Sequence, residues 1–189
     1  RNIILIIDEA FIDFSSADNS AWNLLTRSPN TILVRSLTKF YSIPGLRIGY
    51  GILHPERIQQ IAPYQYPWSV NALAQAVGAE VILDSAFKEK TWEWVRHERN
   101  FMFEALKSVA QIETFSSETN FFLIRIQGQS AEVARGLYQH LLSQSILIRN
   151  CGNFRGLDES FFRVSLRERE DNQKLVHSMT EYFSSRDRI

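Results

Sequence analysis

The sequence predicts an α/β fold in its first part and a small α+β unit in its second, on three observations. Two short runs rich in branched residues, Ile3 to Ile7 and Thr31 to Val34, are continuously apolar rather than alternating, as strands buried on both faces are. The stretch between them holds a polar loop and a helical turn, enough for the crossover that parallel strands require. After a long charged helix the order becomes strand, helix, strand, strand, helix with short connections, which suits antiparallel pairing.

In order along the chain, residues 2–7 read as the first buried strand, ending at Asp8. Ser15 to Ser20 is a polar loop, and Trp22 to Leu25 a short helical turn before Ser28-Pro29-Asn30. Thr31 to Leu37 is the second buried strand and Leu46 to Ile52 the third. Pro55 to Ile61 reads as a helix with proline at its first position, where the missing N–H costs nothing. Tyr64 to Trp68 is an aromatic connection, and Ser69 is the expected cap of a helix reaching Leu83. Asp84 or Ser85 caps a long helix ending near Ser108. Its charged residues (Lys88, Glu89, Lys90, Glu93, Arg96, Glu98, Arg99) predict a solvated helix between two domains, with Trp92 and Trp94 packing it. Strand 121–126, helix 130–143, strands 145–149 and 161–166, and helix 170–184 follow. The expected domains are therefore 1–83, a connecting helix 84–109, and 110–189.

Composition narrows the function. Lys+Arg and Asp+Glu balance at 21 each, so net charge gives no reason to expect nucleic acid or an anionic membrane. With 44% hydrophobic residues the chain can bury a core, yet no apolar run reaches the roughly 20 residues of a membrane span. The single cysteine, Cys151, excludes an intrachain disulfide and fits a reducing, cytoplasmic compartment; packing is its expected role. The histidines (His54, His97, His140, His177) show no metal-ligand spacing, so no metal site is expected. The chain opens inside a strand pattern, with no signal peptide expected.

The stretch Ser36 to Tyr50 concentrates the chemistry. Ser36 and Thr38 precede Lys39 just past the second strand, and Arg47 follows eight residues later. Pro44 and Gly45 force an irregular path that can turn Arg47 back towards the hydroxyls. One amine, two hydroxyls and one guanidinium suit a phosphorylated aldehyde: the amine for an imine with the carbonyl, the others for the phosphate. Such a lysine works best when desolvated or beside another cation, for which Arg47 is a candidate. Asp8 sits at the carboxyl end of a neighbouring strand, where open α/β sheets place ligands; its other reading is a turn-capping aspartate. Arg163, within Phe161-Phe162-Arg163-Val164-Ser165, is a cation on an apolar strand, and Arg149 ends the strand before it. Each is either an anion contact or a solvated surface charge. Asn120 and Asn71 are either pocket linings or turn residues, while Arg167 and Arg169 read as the solvated start of the last helix.

Asp8-Glu9-Ala10-Phe11, Ser36-Leu37-Thr38-Lys39 and Arg47 together resemble the cofactor site of the pyridoxal-phosphate-dependent fold-type I aminotransferases. The resemblance is to the histidinol-phosphate aminotransferase subfamily and, within it, the threonine-phosphate decarboxylases. It extends through Pro67-Trp68-Ser69-Val70-Asn71, Thr119-Asn120-Phe121 and Ile146 to Leu157. It implies a C-terminal part of that transferase fold: a partial mixed sheet of the large domain, 1–83, plus the small α+β domain. The implied cofactor is pyridoxal 5'-phosphate. Lys39 and Asp8 would be catalytic, Asp8 facing the ring nitrogen, and Phe11, Ser36, Thr38 and Arg47 would complete the cofactor contacts. Arg149, Arg163 and Asn120 would hold a phosphorylated amino acid. Phe11 departs from the tyrosine usual in the aminotransferases, which points to the decarboxylase branch. The implied reaction converts L-threonine O-3-phosphate to (R)-1-amino-2-propanol O-2-phosphate in cobalamin synthesis. Histidinol-phosphate transamination, or a non-catalytic fragment of either enzyme, is the alternative. The resemblance also implies a missing upstream half and a homodimeric full-length enzyme.

Overall fold

The computed structural model describes residues 3–128 and 130–186; Asn2 of the first predicted strand lies outside that range. Strand β1 (Leu5–Asp8) leads through short 3-10 turns to helix α1 (Trp22–Leu25) and strand β2 (Thr31–Ser36). Next come helix α2 (Leu37–Phe40), strand β3 (Gly49–Leu53), and helices α3 (Pro55–Ile61), α4 (Ala72–Leu83) and α5 (Ser85–Lys107). The remainder is strands β4 (Ile112–Thr114) and β5 (Phe121–Ile126), helix α6 (Ala131–Ser143), strands β6 (Arg149–Asn150) and β7 (Phe161–Ser165), and helix α7 (Arg169–Arg186). The chain divides into two compact units, 1–92 and 93–189, with the division inside α5.

The first unit is a three-stranded mixed sheet in the order β1-β2-β3. β1 runs parallel to β2 with Asp8 beside Val34, and β3 returns antiparallel with Gly49 beside Ser36. Leu33 in β2 and Leu37 and Phe40 in α2 are buried. Phe40 meets Phe14, Tyr41 and Phe87 edge-on, at 5.2, 5.2 and 6.4 Å between ring centroids. Burial pushes the Tyr41 hydroxyl up to about 12, and the negative charges of Asp13 and Asp84 add to the shift. The indole of Trp92 donates to the Asp13 carbonyl at 2.6 Å, so that residue secures the loop after β1.

Several expectations fail here. The second strand ends at Ser36, where Leu37 opens α2, and the third, expected over Leu46 to Ile52, spans Gly49–Leu53 because Leu46 closes the turn begun at Pro44. The strand predicted over 2–7 begins at Leu5, and its apolar side chains are exposed, Leu5 at 47% and Ile6 at 65%. β1 is the edge of this sheet, so the continuous apolar run that reads as burial on both faces has no such cover in this chain. The cap of α4 is Asn71 rather than Ser69. The Asn71 amide oxygen accepts from the Ala74 N–H at 2.9 Å, while Ser69 accepts from Gln65. The Asn71 amide also donates to the Leu46 carbonyl at 3.3 Å, tying α4 to the turn before Arg47.

The second unit is an antiparallel sheet in the order β4-β5-β7-β6. Phe122, Ile124 and Ile126 alternate inward along β5, and Phe162 and Val164 along β7, the period-two pattern of a half-buried sheet. Leu137 and Leu141 of α6 and Met179 of α7 are buried with them. β4 was absent from the expected order. The strand expected over 145–149 is reduced to Arg149–Asn150, because Ser145 takes a left-handed conformation and the Ile146 N–H is held by the Leu141 carbonyl. Among the described residues no helix is long and apolar enough to cross a membrane.

Candidate active site

Because β1 and β2 are parallel, their carboxyl ends lie side by side, the position at which open α/β sheets bind ligands. The chain leaves β1 with the Glu9 N–H donating to the Val34 carbonyl at 2.8 Å. Successive strand residues face opposite sides, so Asp8 and Glu9 part company. Glu9 is buried and pairs with Arg35 at 2.9 Å; its carboxylate also accepts from the Ser20 hydroxyl and the Ala21 N–H. Asp8 stays exposed, one oxygen accepting from the Ala10 N–H at 2.9 Å. That bond is the turn-capping role, and it leaves the second carboxylate oxygen without a hydrogen bond among the described residues. Glu9 is the structural residue that sequence reasoning passed over; its signal was its place opposite Asp8 in the alternation.

At the end of β2 the backbone turns straight into the single turn of α2. Ser36 caps it, its hydroxyl accepting from the Thr38 N–H at 3.3 Å. The same oxygen lies 2.7 Å from the Thr38 hydroxyl and accepts from the Lys39 amine at 3.1 Å. The Lys39 amine is 5.7 Å from the centre of the Phe11 ring. Ser36, Thr38 and Lys39 are thus brought together, and Phe11, which the family resemblance associates with them, lies beside the amine. Thr38 is buried, whereas Lys39 is exposed, so the expected desolvation of the amine is not provided by the described residues.

Arg47 departs from expectation. The backbone does fold back, through left-handed Ser42 and Arg47 and the turn at Pro44–Leu46, until Gly49 pairs with Ser36. A side chain at residue 49 would put its Cβ 2.5 Å from the Arg35 carbonyl, so this approach requires glycine. The guanidinium, however, donates to its own turn, at the Pro44 carbonyl, 3.0 Å away. No hydrogen bond joins it to Ser36 or Thr38 among the described residues.

In the second unit, Arg149 and Arg163 stand directly opposite each other in β6 and β7. Arg163 lies over the Phe121 ring at 5.1 Å, and Arg149 donates to Asn153 at 3.1 Å and lies over Phe154 at 5.7 Å. Like charges directly opposite one another are destabilising, and among the described residues neither has a carboxylate within ion-pairing distance. Asn120 precedes β5; its carbonyl accepts from the Leu166 N–H at 2.8 Å, three residues along the chain from Arg163. Of the residues assigned to a solvated surface, Arg169 is exposed at the start of α7 as expected, whereas Glu98 is not. Glu98 is buried, accepting a two-pronged contact from Arg169 at 2.8 and 3.1 Å and another from Asn172 at 3.0 Å. The hydrogen bond from Arg169 holds the Glu98 carboxyl below its ordinary value against burial, with Asn172 assisting.

An amine with two adjoining hydroxyls at one strand end, and a carboxylate with a spare oxygen at the next, form a donor set that fits a phosphorylated pyridine aldehyde. A model of the class I and II aminotransferases matches residues 1–179. Over 179 residues the chain is 38% identical to a threonine-phosphate decarboxylase of Salmonella typhimurium, covering 94% of this chain and 48% of that protein. A solved histidinol-phosphate aminotransferase from Clostridium acetobutylicum aligns with a TM-score of 0.89 at 33% identity, over 95% of this chain and 54% of that one. L-threonine-O-3-phosphate decarboxylase from Porphyromonas gingivalis aligns with a TM-score of 0.83 at 27% identity, over 96% and 55%. The chain therefore spans about half the length of the proteins it matches. It belongs to the class I and II aminotransferase family, whose cofactor is pyridoxal 5'-phosphate.

Proposed function

We propose that this chain is part of a decarboxylase of L-threonine O-3-phosphate, releasing carbon dioxide and (R)-1-amino-2-propanol O-2-phosphate for cobalamin synthesis. Residues 1–83 would belong to the cofactor-binding domain, 84–109 to a connecting helix and 110–189 to a small domain. The full-length enzyme would be a homodimer. The observation that carries the reading is the cluster at the end of β2, where the Lys39 amine sits 3.1 Å from the Ser36 hydroxyl, itself 2.7 Å from Thr38.

Lys39 would hold the cofactor's aldehyde carbon and yield it to the substrate amine. The freed amine would then carry a proton to the α-carbon in place of the lost carboxylate. Ser36 and Thr38, now bonded to each other, would turn their hydroxyls to the cofactor's phosphate, and Arg47 would leave the Pro44 carbonyl to join them. Asp8 would accept from the ring N–H through its spare oxygen, and Phe11 would wall the site without offering a hydroxyl. When bound, the cofactor supplies an electron sink for the pair left on the substrate's α-carbon. Arg163 and Arg149 would take the substrate's carboxylate and phosphate as charge-assisted pairs, with Asn120 as a further contact. By fixing the substrate's carboxylate and phosphate, these arginines would decide which bond at the α-carbon is broken.

The decarboxylase is preferred for the 38% identity to the Salmonella protein and for the bare ring of Phe11. The likeness to the Clostridium acetobutylicum structure favours the second reading, a histidinol-phosphate aminotransferase. Product analysis on the full-length enzyme separates them: carbon dioxide from threonine phosphate, against amino transfer to 2-oxoglutarate. For the site itself, the chain is incubated with pyridoxal phosphate, reduced with borohydride and mapped by mass. Label is expected on Lys39, and label confined to another lysine would overturn the assignment.

A further inference from the structure

We propose that the groove beside β6 in the second unit binds the phosphate group of a small-molecule ligand through Arg167 and Lys174. The truncation of β6 opens it. With pairing confined to Arg149–Arg163 and Asn150–Phe162, Val164 and Ser165 of β7 lack a strand partner on that side among the described residues. The result is an open cavity of about 780 Å³, within the size range of small-molecule sites. Its charge is one-sided: Arg149, Arg163, Arg167 and Lys174 line it, against a single carboxylate, Asp171. Arg167 lies 3.6 Å from that carboxylate, and among the described residues Lys174 has no ion pair.

Arg167 is also held ready. The buried amide of Asn172 accepts from the Arg167 N–H at 3.0 Å and donates to the Arg167 carbonyl at 2.7 Å. Its amide nitrogen donates as well to Glu98, which Arg169 chelates. The backbone from which Arg167 projects is thus fixed before any ligand arrives, which lowers the ordering cost of binding. A guanidinium fork and an ammonium point charge match a phosphate dianion better than a lone carboxylate, which one arginine satisfies. The proposal rests on the substrate reading above only in that Arg149 and Arg163 line the same groove.

The test is a ¹⁵N NMR titration of the chain with inorganic phosphate, followed by O-phospho-L-threonine. Saturable shifts are expected at Arg167, Asn172 and Lys174, with affinity at least tenfold weaker in R167Q/K174Q and retained in the charge-keeping R167K/K174R. Absence of shifts at these residues, or equal affinity in R167Q/K174Q with an unchanged fold by circular dichroism, would overturn the proposal. The two ligands separate the sources of the phosphate. If phosphothreonine binds tighter than phosphate and R163Q removes only that gain, the groove serves the substrate. If the two bind alike while R167Q/K174Q weakens both, the groove stands as a site for another phosphate-bearing ligand and the substrate role of Arg163 falls.

Discussion

Ser36 carries more bonds than its size suggests: it caps α2, contacts Thr38 and accepts from the Lys39 amine. Ser36→Ala should cost about 1 kcal/mol of stability through the lost cap, read by denaturant unfolding. It should also weaken pyridoxal phosphate retention, read by absorbance; unchanged retention would remove the hydroxyl from the cofactor's surroundings. Asp8 makes a different prediction. Its bond to the Ala10 N–H needs only one oxygen, so Asp8→Asn should keep the Lys39 label in the full-length enzyme while slowing turnover at least tenfold. A rate equal to wild type would leave Asp8 as a turn-capping residue only.

Between elements, the Glu98–Arg169–Asn172 contact joins α5 to α7 within the second unit. The Glu98 carboxyl is held below its ordinary value of 4.5, so folding favours the charged form. The resulting stabilisation is complete above about pH 4.5 and is lost as the pH falls through the folded-state value. Glu98→Gln should therefore unfold more readily at pH 7 by about 1–2 kcal/mol, part of the loss being offset by water at the half-exposed Arg169. The difference from wild type should shrink below pH 4; a gap that stays constant into acid would show that charge is not its source. The same elements show how far local pattern reaches. The helix at Pro55–Ile61, the turn at Trp22–Leu25 and the strand at Phe121–Ile126 stand where the sequence places them. Each is marked by its own residues: a proline at the first helical position, a short apolar group between polar loops, a period-two run. β4, at three residues, is too short to leave such a pattern, and it exists through its pairing with β5.

At the scale of the molecule, the chain exposes apolar surface along Ile3 to Ile6 and at Tyr64, Tyr66 and Trp68, the last 96% exposed. It also spans about half the length of its relatives. The 189-residue chain should accordingly show little turnover of threonine phosphate even where Lys39 is labelled. Activity comparable with a full-length relative, measured as carbon dioxide release, would refute this.

The sequence by itself determined the α/β character of the first part and the α+β character of the second, the grouping of Ser36, Thr38 and Lys39 and the strand-end place of Asp8. These rest on neighbours a few residues apart, and a strand followed at once by a capped turn needs no distant partner to be read. Tertiary structure alone decided that Glu98 is buried against Arg169 across 71 residues, that Arg149 faces Arg163, and that the Arg47 guanidinium turns to the Pro44 carbonyl. A charge exposed on an isolated helix and a charge paired with a distant one have the same local sequence. Only the packing of elements determines which partner, if any, each of them meets.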